Sequence, residues 1–157
     1  IGDSLLDYMT ANEIKKAEEN ITTYPDSNYI VIFYNRNPEL YDDIEIVYDQ
    51  KDKKYIIEAL AGVIDYPNKY KVCKKKKIDI SEEFKIIFND AQIYEDESPH
   101  KFAPDSIVDQ IDFYPKSGGF ARVSCTDWSE QMYKENGWVD KLKVSLGSEK
   151  FIKFLSQ

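Results

Sequence analysis

The chain has a single histidine, His100, so any Ser-His or Cys-His nucleophile scheme has to use it. It lies in a polar stretch between Pro99 and Pro104, where no helix or strand is expected to hold it. A catalytic base is normally fixed by a third group on a rigid element, so His100 reads as a surface residue. A zinc site would need His100, Cys73, Cys125 and a carboxylate, a spacing that matches no ligand pattern. Oxygen ligands for calcium are abundant, but no D-x-D-x-D-G loop is present, and Glu95-Asp96-Glu97 reads as a solvated loop. No metal and no cofactor is expected.

Carboxylates are the other candidates. Asp105, Asp109 and Asp112 stand at i, i+4 and i+7. On a helix they would share a face and could protonate a leaving group. On a strand, Asp109 and Asp112 point to opposite sides, and the surrounding sequence favours the strand. With 29 acids in the chain, a pair can be found almost anywhere. P-loop, G-x-G-x-x-G and G-x-S-x-G motifs are missing, and Ser117-Gly118-Gly119 lies between two expected strands rather than before a helix.

The cysteines offer chemistry of another kind. Cys73 and Cys125 are 52 positions apart, with no C-x-x-C spacing, and fit one disulfide. The chain starts at Ile1 rather than Met, which suits removal of a leader, and export would oxidise the pair. The expected location is periplasmic or secreted.

Composition narrows the classes further. At 157 residues a single domain is expected, large enough to bury a core without staples. No run approaches a membrane span. Net charge is −8, and only Arg36 and Arg122 are arginines among 21 basic residues, which argues against nucleic acid as a partner. Trp128, Tyr133 and Trp138 flank one expected helix. Tyr and Trp bury much area at small entropic cost and dominate binding hot spots. The two tryptophans read first as core residues pinning that helix, with Tyr133 the exposed member. Tyr133, Trp128 and Arg122 are the residues assigned to a partner surface.

The elements that must position these groups follow from periodicity. Val108–Tyr114 and Phe120–Thr126 alternate with period 2 around Pro115-Lys116-Ser117-Gly118-Gly119, a hairpin. Ser129 or Asp127 caps a helix that Gly137 ends, Trp138–Leu146 is a strand with a bulge near Asp140-Lys141, and Ser148 caps a last helix. Thr10-Ala11-Asn12-Glu13 is a capping box, with Met9 and Ile14 as staple. Tyr29–Tyr34 suits an interior strand, and 43–49 with 54–63 form a second hairpin, Gly62 marking a bulge. A loop turns around Pro38. Tyr70–Ile80, with Lys74-Lys75-Lys76-Lys77, reads as a lysine-guarded edge strand. Phe84–Phe88 fits helix or strand equally, and 89–106 reads as the longest irregular stretch. The fold class is α+β: a mainly antiparallel sheet of six to seven strands, one N-terminal helix and two C-terminal helices. The function this implies is a small exported non-catalytic protein that binds another protein, of inhibitor or immunity type. A carboxylate-dependent hydrolase and a subunit of a larger envelope assembly are the alternatives.

Overall fold

A computed structural model describes residues 1–34 and 39–156. The loop expected around Pro38 and the residue Arg36 lie outside the described residues. Among those described there are eight strands and four α-helices, so the α+β class holds with more elements than the sequence suggested. All eight strands form one antiparallel sheet. They are β1 (Thr22–Thr23), β2 (Tyr29–Phe33), β3 (Asp43–Asp49), β4 (Ala59–Asp65), β5 (Gln92–His100), β6 (Ala103–Tyr114), β7 (Phe120–Asp127) and β8 (Lys141–Gly147). Their order across the sheet is β1-β2-β3-β4-β8-β7-β6-β5.

The helices sort by face. A 3-10 turn at Leu5–Asp7 and α1 (Ala11–Ala17) place Leu5, Met9 and Ile14 on Ile30, Ile32, Ile46 and Tyr48. The Thr10 capping box is formed, with both halves of the exchange present. The long helix α2 (Tyr70–Ile87) covers the same face farther along, over Val123, Cys125 and Leu142 and over Ile111, Phe113 and Ala121. On the opposite face, α4 (Glu149–Leu155) covers Tyr29, Val31, Val47, Ala59 and Phe120 with Phe151. Helix α3 (Glu130–Asn136) links β7 to β8, capped by Ser129 and ended by Gly137 in the left-handed region.

Residues 70–80 are therefore helix, not an edge strand, and the ambiguity at 84–88 resolves to helix. Tyr70, Cys73, Lys77, Ile80, Phe84 and Phe88 recur every three or four positions, which is helical spacing. The stripe is hidden because Lys77 and Ser81 are among its buried members. Lys77 is 5% exposed and pairs with Asp109 of β6, itself 7% exposed. Lys74 reaches Asp109 at 3.1 Å and Glu97 at 2.6 Å. One turn earlier, Cys73 is joined to Cys125 of β7, the residue registered opposite Asp109. The expected disulfide is present, with Cys73 on a helix rather than a strand.

The stretch expected to be irregular, 89–106, is mostly the β5–β6 hairpin. The sheet's long free edge is β5, and acids guard it where lysines were expected: Glu95, Asp96 and Glu97 lie exposed on it, followed by Pro99. The bulges expected at Gly62 and near Asp140 are absent, because pairing runs through Gly62 without a shift and β8 begins at Lys141. Gly62 instead leaves room for the ring of Tyr41, which lies where a Cβ would project. The register shift falls between Pro99 and His100.

Candidate functional site

The β5–β6 turn and the segment from β7 through α3 meet at one end of the sheet and gather the exposed aromatic residues Phe102, Tyr133 and Trp138. The shift after Pro99 pairs His100 with Ala103 and leaves Lys101 and Phe102 at the turn. The Nδ1 of His100 accepts the backbone N–H of Phe102 at 3.3 Å. Burial lowers the pKa of His100, so the imidazole is neutral at pH 7 and its other nitrogen carries the proton.

Trp128 follows β7 directly and is fixed through its backbone. Its N–H donates to Asp140 Oδ1 at 3.2 Å, and the next N–H, of Ser129, donates to the buried Ser106 hydroxyl at 3.0 Å. Ser129 caps α3 through the N–H of Met132. Gly137, at φ 71°, then reverses the chain and brings Trp138 back to Trp128. The result is a ladder of four rings. Phe102 and His100 have centroids 6.1 Å apart, His100 and Trp128 4.6 Å, and Trp128 and Trp138 4.6 Å. Phe102 is 79% exposed, Tyr133 58% and Trp138 42%. Trp138 is thus no core residue, and Trp128 is half-buried within the ladder.

Two cavities flank the ladder. The larger, about 390 Å³, lies on the sheet face that carries α4. Its floor includes Arg122, Ser124, Lys143 and Ser145, with Tyr24 and Phe151 on one side and His100 and Phe102 on the other. The floor's charges are matched: Arg122 grips Asp112 through Nε and Nη2, and Lys143 pairs with Glu45. The smaller cavity, about 190 Å³, is lined by Trp128, Tyr133 and Trp138 with Asp127, Glu130 and Asp140.

Of the residues assigned to a partner surface, Trp128 and Tyr133 come together in the smaller cavity, and Arg122 lines the floor of the larger one. His100 and Phe102 were missed, since a turn with one histidine and one phenylalanine carries no pattern until the β5–β6 register brings it to Trp128. The three acids weighed for hydrolysis are not assembled. Asp109 faces α2 and its lysines, Asp112 faces the other side with Arg122, and Asp105 is exposed. Among the described residues no group of three His, Cys, Asp or Glu side chains could hold a metal ion.

Asp140 is the unusual acid. It is buried, and it accepts from the backbone N–H of Trp128. Burial pushes the Asp140 carboxyl above the usual range, the Trp128 N–H opposes this, and the neighbouring Asp127 adds to it.

No protein-family model matches this chain, and no curated protein or solved structure matches it either.

Proposed function

We propose that this chain is a small exported protein without a catalytic role that binds another protein through its aromatic end. The observation that carries the reading is the ladder itself: aromatic rings at the sheet end, held in place by a backbone register and two caps, with the outer rings of Phe102 and Trp138 left exposed. Rigid, exposed Trp, Tyr and Phe side chains supply contact area with little entropy to lose on binding. The Cys73–Cys125 disulfide suits an oxidising compartment, and among the described residues no helix is long and apolar enough to cross a membrane. A net charge of −8 favours fast association with a basic partner.

The test is capture by immobilised protein from envelope and medium fractions, comparing wild type with a Phe102→Ala/Trp138→Ala double variant. A stoichiometric partner held by wild type and lost by the variant supports the reading. Loss of the exposed Phe102 ring should alter folding stability by no more than about 0.5 kcal/mol, and loss of Trp138 with its Trp128 contact by roughly 0.5–1.5 kcal/mol, both checked by urea denaturation. Equal retention by both proteins, or no stoichiometric partner at all, overturns it.

A second reading has one observation behind it. Ile86, Ile87 and Ile93 lie exposed around the α2–β5 connection, an apolar surface that a larger assembly could cover. Light scattering on the isolated chain tests it: self-association abolished by Ile86→Lys would favour this surface over the aromatic end.

A further inference from the structure

We infer that the smaller cavity, lined by Trp128, Tyr133, Trp138 and the carboxylates of Asp127 and Asp140, receives the ammonium or guanidinium group of a basic side chain on the partner. The inference rests on the binding reading above and names the chemistry that this part of the surface selects.

Two independent features point to an organic cation. The first is aromatic. Three rings line one small cavity, and the faces of Trp and Tyr attract a cation within about 6 Å of the ring centre. The second is electrostatic. The cavity also holds Asp127 and Asp140, and among the described residues no cationic group contributes to the balance that raises the Asp140 carboxyl. Glu130, at the rim, differs in already pairing with Lys134 at 2.7 Å. A cation entering here would meet three aromatic rings and two carboxyls that have no ion-pair partner among the described residues, and would relieve the burden on Asp140.

Other ligand classes fit less well. An anion would meet the carboxyls. A metal ion needs converging ligands, and these carboxyls do not form such a group among the described residues. An apolar side chain would leave the buried acid no better solvated. At about 190 Å³ the cavity exceeds the roughly 30 Å³ share of one liquid water several times over, which leaves room for a cationic head and part of its stem.

The probes are Nα-acetyl-arginine methylamide and Nα-acetyl-lysine methylamide, with the neutral citrulline derivative as control. The readout is the pair of indole N–H signals in a proton–nitrogen NMR spectrum, which reports directly on Trp128 and Trp138. At constant ionic strength, at least one cationic probe should shift these signals saturably, and citrulline should not. Asp127→Asn should weaken the binding by about fivefold to tenfold, and Tyr133→Ala should weaken it too, the second variant guarding against a local folding defect in the first. No saturable shift, an equal response to citrulline, or full binding by both variants overturns the inference. Failure here is distinct from failure of the binding reading: a partner lost by the Phe102/Trp138 variant but held equally by Asp127→Asn would keep that reading and discard the cation pocket.

Discussion

The face under α2 and the aromatic end beyond β7 are built from the same kinds of side chain and treat them in opposite ways. Under α2 the buried acid, Asp109, has two lysines, and the rings of Phe84, Phe88 and Phe113 pack edge to face within the core. At the aromatic end the buried acid, Asp140, has one backbone N–H, that of Trp128, and another carboxyl for company, and the rings of Tyr133 and Trp138 beside it are exposed. A buried charge without a counter-charge is costly, and exposed rings add nothing to a monomer's core. The first region is thus closed on itself, whereas the second keeps an unmatched acid beside uncovered apolar area. That is the arrangement expected where something else completes the surface.

The contrast can be broken at its stronger side. Asp109→Ala would strand Lys77 in the core with no acid opposite, and loss of one partner from a buried pair costs roughly 3–5 kcal/mol. Urea denaturation should show that loss, and a Lys77→Met/Asp109→Leu double variant should recover most of it, since an apolar pair of similar volume often replaces an ion pair at little net cost. A loss below about 1 kcal/mol would mean that the lysine reaches solvent, and the idea of a sealed face would fail.

Next in size is the disulfide, which ties α2 to β7 across 52 positions. Closing a loop of that length restricts the unfolded chain by about 4 kcal/mol in the chain-entropy view. A Cys73→Ala/Cys125→Ala variant should lose about that much stability. Its two indole signals should stay near their native positions, because the bond anchors the covered face and not the ladder. Indole signals that collapse in the folded variant would show the two regions to be one cooperative unit.

The same division explains which parts were legible in the sequence. The caps at Thr10, Ser129 and Ser148 and the stop at Gly137 are local patterns, and all are formed. The β6–β7 hairpin was legible because Ile111, Phe113, Ala121, Val123 and Cys125 alternate onto the face under α2, which imposes period 2. Helix α2 was not, because one interior position of its stripe is a lysine whose partner lies 32 residues away. A binary pattern counts that lysine as surface. Strand β5 was lost for the opposite reason: exposed along nearly all its length, it has no alternation to read. Trp128 and Tyr133 could be chosen by residue type, but nothing local says that His100 and Phe102 join them. Arg122 was chosen by type as well, and the fold gives it Asp112 and a place on the other cavity's floor.

The smallest effect, and the sharpest comparison, is in the pH dependence of stability. For Asp109, burial alone would raise the carboxyl, but hydrogen bonds from Lys77 and Lys74 outweigh it and hold the folded value below the ordinary 3.8. The native state then gives up this proton more readily than the unfolded chain. Its stabilising contribution is complete above 3.8 and fades as pH falls through the folded value. For Asp140 the folded value lies above 3.8, because burial outweighs the Trp128 N–H. Between the two values the native state holds a proton that the unfolded chain has released, so this group adds stability as pH falls toward 3.8. The two acids therefore act in adjoining windows with opposite signs. Urea midpoints measured from neutral pH downward should show Asp140→Asn reducing the change in the upper window, where Asp65, also raised by burial, still contributes, and Asp109→Asn reducing it in the lower one. An Asp140→Asn curve that parallels wild type above 3.8 would mean that this acid is solvated after all, and the aromatic end would then hold no unmatched charge for a partner to meet.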